Sequence, residues 1–84
     1  MRGEGRAGAE GPVFPLSMSE SGRTVRIRHV FGGHGLQRRL SAMGLVPGMA
    51  LEVVSNDRGG PLVVKLLDSR FMIGRGMAHH VHVS

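Results

Sequence analysis

Five histidines and eleven lysine or arginine residues carry most of the reactive potential of this 84-residue chain, against six acids and no cysteine. His79, His80 and His82 crowd one end, while His29 and His34 stand apart. Read as a strand, the end of the chain puts His80 and His82 on one face, opposite Val81 and Val83. Two neutral imidazoles at that spacing suit a divalent ion such as zinc or ferrous iron. No carboxylate stands beside them to complete a ligand set, so the pair is a candidate for a weakly bound metal, and no cofactor is required. Nucleophilic chemistry has less to draw on. Ser17, Ser19, Ser21, Ser41, Ser55 and Ser69 lack a neighbouring motif that would activate a hydroxyl, and Asp57 and Asp68 fall in turn sequences where carboxylates bind backbone. The absence of cysteine removes thiolate nucleophiles, thiolate zinc sites and disulfides. Gly32, Gly33 and Gly35 are followed by neither the lysine nor the hydroxyl of a phosphate loop. A non-enzyme is expected.

The arginines are organised. Arg23, Arg26, Arg28, Arg38 and Arg39 occur with no acid between Arg23 and Glu52, and the formal net charge is +5. Such a region either contacts a partner or is a solvated face that keeps a small protein soluble. Small barrels that bind nucleic acid add aromatic platforms for the bases, and here there is no Trp or Tyr and only three Phe, so no nucleic acid is expected. The same lack excludes an aromatic groove for proline-rich peptides. The partner-binding candidates are Arg26 and Arg28, with Gln37, Arg38 and Arg39.

These side chains need elements to hold them. Leu36, Leu40 and Met43 fall at helical spacing and turn Gln37, Arg38, Arg39 and Ser41 outward. Gly44 supplies a left-handed stop, with Met43 as C-cap and Leu45 returning against Leu40. Pro47 and Gly48 suit the centre of a type II turn. Met49, Leu51 and Val53 then alternate as a strand, and Val25 with Ile27 does the same over Thr24 to Val30. Leu16 and Met18 are expected to cover one end of the core. Asn56 to Gly60 is a turn, Leu62 to Leu67 a third strand, Asp68-Ser69-Arg70 a turn, and Phe71 to Ile73 a fourth strand. Gly74-Arg75-Gly76 predicts a tight turn or single 3₁₀ turn, after which Val81 and Val83 complete the set. About five short strands and one short helix predict a mainly β domain closed as a small barrel, because closure removes exposed edges. Residues 1–12, glycine-rich and without an apolar run, are expected to be a disordered N-terminal tail with neither signal-peptide nor membrane-spanning character, leaving residues 13–84 as the domain.

The run RLSAMGLVPGMALEVV, followed by GPLVVKLLDSRFMIGRGMAHHVHV, resembles the ferrous iron transport protein A family. The resemblance covers Leu16 to Val83 and rests chiefly on the helix, the Met43-Gly44-Leu45 and Pro47-Gly48 pairings, and the Gly74 to Ala78 turn. It implies an SH3-like barrel, similar to one at the C-terminus of iron- and manganese-dependent repressors. It also implies a non-catalytic, cytoplasmic bacterial accessory protein of ferrous iron uptake, without insertion into the membrane. The implied partner is the large membrane ferrous iron transporter with a GTP-binding domain. A metal-responsive SH3-like regulatory module and a basic nucleic-acid-binding barrel are the alternative readings. The first lacks a preceding helix-turn-helix here.

Overall fold

The computed structural model describes residues 11–57 and 59–84; the expected tail over residues 1–12 lies, but for Gly11 and Pro12, outside the described residues. The chain runs β1 (Phe14–Pro15), a 3₁₀ turn (Leu16–Met18), β2 (Thr24–Val30), α1 (His34–Ala42), β3 (Ala50–Asn56), β4 (Leu62–Leu66), β5 (Ser69–Ile73), α2 (Arg75–His79) and β6 (Val81–Val83). One antiparallel sheet has the order β1-β6-β2-β3-β4-β5. The expected mainly β architecture with one main helix is present, with six strands rather than five. The sheet, however, is not closed: β1 and β5 remain as edges. Closure is one way to manage an edge, and this chain uses others. The β1 edge is two residues long and ends on Pro15, which has no N–H to offer, while the β5 edge presents exposed Arg70.

Curvature comes from two irregularities in the ladders. The register of β2 against β6 shifts between Ile27 and His29, and that of β3 against β4 shifts between Val53 and Ser55. Bulges of this kind bend a strand and increase its twist. At the bend β2 changes partners, so Thr24 to Arg26 pair with β3 whereas Ile27 to Val30 pair with β6. The concave side then collects Val25, Ile27, Leu51, Val53, Leu62, Val64, Leu66, Ile73, Val81 and Val83, all buried. Leu16 from the 3₁₀ turn, Leu40 and Leu45 from around α1, and Ala78 from α2 complete this core. Met18 does not join them; it is 70% exposed, because the 3₁₀ turn presents only Leu16 and Ser17 to the interior.

The helix ends as its sequence demands. The Leu45 N–H donates to the Leu40 carbonyl at 2.9 Å and the Gly44 N–H to the Ser41 carbonyl at 2.9 Å, the two bonds of a Schellman ending, with Gly44 at φ +87°. Gly48, at φ +97°, sits in the following turn, which the Met49 N–H closes onto the Val46 carbonyl at 3.2 Å. Gly44 is also a packing requirement, since a Cβ there would lie 2.7 Å from Leu66 Cδ2. Two local expectations fail. The strand β4 stops at Leu66, and the hairpin turn is Leu67-Asp68 rather than Asp68 to Arg70. The pairing of Leu66 with Ser69 leaves only two residues for the reversal, which forces Leu67 to φ +56°, with its side chain 77% exposed. Arg75 to His79 form a helix of five residues instead of a 3₁₀ turn.

Two substitutions test this account by thermal melting. Gly44→Val lowers stability by about 3 kcal/mol, since a left-handed β-branched residue costs on the order of 1–2 and overpacking against Leu66 a similar amount. Unchanged melting would remove the Schellman ending from the argument. Leu67→Asn acts oppositely, stabilising by about 1 kcal/mol, because Asn tolerates the left-handed region and the exposed leucine gives up little packing. A lower melting temperature there would mean that Leu67 packs in solution.

Candidate functional site

The five residues expected to bind a partner do not share one condition. Arg26 donates through Nη1 to the Gly48 carbonyl at 2.6 Å, fastening β2 to the turn behind α1. Arg28 donates through Nε to the Ser84 hydroxyl at 2.6 Å, beside the paired Arg26 and Ser84 backbones. Gln37 donates to the Gly32 carbonyl at 3.0 Å and steadies the entry to α1. These three side chains help hold the fold. Arg38 and Arg39 are different: both are exposed on α1, and neither has a bonding partner among the described residues. Their backbone is held at both ends, by the Gln37 bond and by the Gly44 ending. Two long cations thus project from a rigid support, which favours charged recognition at low ordering cost.

The histidines are arranged otherwise than the strand reading predicts. His80 is the C-cap of α2, at φ −85° and ψ −7°, so it does not alternate with His82 along a strand. Helix α2 extends to His79, and β6 begins only at Val81. His82 instead lies opposite His29 across the β2–β6 ladder, 53 residues away in sequence and invisible to local spacing. Phe31 contacts both rings, His82 edge-on at 4.7 Å between centroids and His29 at 5.8 Å. Among the described residues no three His, Asp or Glu side chains come together as a ligand group. The Ser17 hydroxyl and His79 Nδ1 are 3.4 Å apart, too long for an activating bond, and Ser17 is buried.

The polar centre that sequence spacing does not reveal is Arg75. Its Nη1 donates to the Ser17 carbonyl at 3.0 Å, and its Nη2 to Asn56 Oδ1 at 2.6 Å and to the Asp57 carbonyl at 2.7 Å. Asn56 in turn donates through Nδ2 to the carbonyls of Ser17 and Ser19 at 3.0 and 2.6 Å, and its backbone N–H reaches the Ser21 hydroxyl at 2.9 Å. The 3₁₀ segment, the end of β3 and the start of α2 are therefore tied by one guanidinium and one amide. The flanking Gly74 and Gly76 mark only the start of a short helix, so no local signal pointed to these partners.

Comparison with known proteins places this geometry. Residues 14–84 match the FeoA domain family. A curated protein of Methanocaldococcus jannaschii, named "Putative Fe(2+) transport protein A", is 32% identical over 71 residues, covering 84% of this chain and 85% of that protein. The crystal structure of an iron uptake regulatory protein, FeoA, superposes with a TM-score of 0.82 at 35% identity, over 86% of this chain and 96% of that one. A manganese-dependent transcriptional repressor shares the fold at a TM-score of 0.76, with 19% identity, over 86% of this chain and 41% of its own. The matched region spans both helices and all six strands, so this chain belongs to the FeoA domain family.

Proposed function

We propose that the protein is a non-catalytic accessory of ferrous iron uptake, working on the cytoplasmic side and docking on the GTP-binding membrane iron transporter through the outward face of α1. The observation that carries this reading is the pair Arg38 and Arg39, exposed and unpaired among the described residues, on a helix clamped at both ends. Family membership supports the link with ferrous iron transport. Arginine is also a frequent anchor of protein interfaces, where its planar fork meets carboxylates in two parallel bonds. An apolar neighbour is at hand. Gly44 abuts Leu66, so the hairpin bearing exposed Leu67 adjoins the C-terminal end of α1. A left-handed leucine held out to solvent is a local strain that a docking role would explain. No helix among the described residues is long and apolar enough to cross a membrane, which suits a protein that meets its transporter from the aqueous side.

The test joins stability to uptake. In Arg38→Glu/Arg39→Glu the melting temperature stays within about 0.5 kcal/mol equivalent of the parent, as surface changes away from packed features do. Ferrous iron accumulation in cells that depend on this protein and carry the transporter is then lost. Normal accumulation by a stable, normally abundant double variant would move the docking surface away from α1, to the hairpin at Asn56 to Gly60.

A further inference from the structure

The tie between the 3₁₀ segment and the β3–β4 hairpin leaves an open cleft of about 540 Å³ lined by Ser17, Ser19, Ser21, Asn56, Gly59 and Arg75. A second hollow, about 270 Å³, shares Met18, Ser19 and Glu20 with it and adds Phe14, Val25 and Arg23. Two donors at this place are unused. Ser19 is only 4% exposed, yet its hydroxyl has no partner, and neither does the buried Nε of Arg75. Every oxygen that Arg75 does hold is neutral, being a carbonyl of Ser17 or Asp57 or the amide of Asn56. No carboxylate among the described residues is paired with it.

A guanidinium taken out of water with a spare N–H is best satisfied by an ionised acceptor, and a hydroxyl beside it adds a second donor. The Ser21 hydroxyl, which accepts from the Asn56 N–H, keeps its own proton to offer. A polar, cationic cleft beside a hollow that presents Phe14, Met18 and Val25 matches a ligand that has a carboxylate next to an aliphatic group. We propose that this double cleft binds an extended peptide segment of a partner protein, an acidic side chain seated on Ser19 and Arg75 and an adjacent aliphatic side chain placed over Phe14, Met18 and Val25. The volume of the polar half falls within the range usual for ligand pockets, far more than a single small ion fills. Glu20 borders both halves, but its side chain is 80% exposed and lies 3.6 Å from Arg23, so it opposes the peptide weakly. The Ser19 hydroxyl and Arg75 Nε are covered, so seating the carboxylate requires the cleft lining to shift. The proposal is independent of the role assigned to α1, since it concerns a different surface and is read in the purified chain.

The experiment follows the Arg75 Nε–H resonance in nitrogen-15 correlation spectra of the full chain during titration with N-acetyl-aspartyl-leucine amide. The resonance is expected to shift and saturate, while the asparaginyl analogue binds about tenfold more weakly, having lost the charge-assisted bond. Arg75→Ala would loosen the tie itself, so Ser19→Ala is the informative variant. With melting unchanged, it weakens the aspartyl peptide about fivefold by removing one donor. Glu20→Gln strengthens binding by about twofold through loss of an exposed like charge. Equal responses to the two peptides, or an unchanged affinity in Ser19→Ala, overturn the proposal. So does tighter binding of inorganic phosphate than of the aspartyl peptide.

Discussion

The close approach of Gly44 to Leu66 is the contact on which the arrangement of this domain depends. A helix of nine residues is too short to be stable by itself, so α1 exists because Leu40 and Leu45 are buried in the sheet. Both reach the core only if the chain turns sharply at Gly44, and the turn fits only if no Cβ stands between the helix end and Leu66. Left-handed backbone and close packing thus make the same demand of one residue. The orientation of α1, and with it the direction in which Arg38 and Arg39 project, follows from that meeting.

The other end of the domain is held by polar means. With no cysteine to staple the 3₁₀ segment, the guanidinium of Arg75 and the amide of Asn56 gather backbone carbonyls from Ser17, Ser19 and Asp57. A small domain buries a limited share of its surface, and such bonds to a charged group contribute more than neutral ones. This tie has a chemical side effect, because Arg75 pairs with no acid among the described residues and leaves its buried Nε–H unused. The peptide contact proposed above draws on this unbalanced charge. The two ends divide the work: the apolar end displays cations on a helix, while the polar end leaves a cleft.

Among the described residues the approach of the Ser17 hydroxyl to His79 Nδ1 is long, 3.4 Å, and only partly buried. What the fold supplies is shape and charge on short, well-anchored elements, which suits the contact role proposed above. The repressor, only 19% identical, keeps the same fold within a longer chain, of which the match covers 41%.

Much of this was legible in the residues themselves. The spacing of Leu36, Leu40 and Met43, the stop at Gly44, the Pro47-Gly48 turn and the alternation through Leu51 and Val53 are local matters, decided within a few residues by side-chain size and backbone freedom. The exposure of Arg38 and Arg39 follows from the same helical period. Other features were beyond local reasoning. The strand partners left β1 and β5 as edges, the pairing of Leu66 with Ser69 put a leucine where a polar turn residue was expected, and the five-residue helix drew His80 out of the strand. His29 met His82, and Arg75 found Ser17 and Asn56, across separations that no spacing along the chain encodes. Period and cap are properties of the covalent chain, so the sequence by itself determined them; which donor meets which acceptor depends on how strands order in space, and only the tertiary structure decided that.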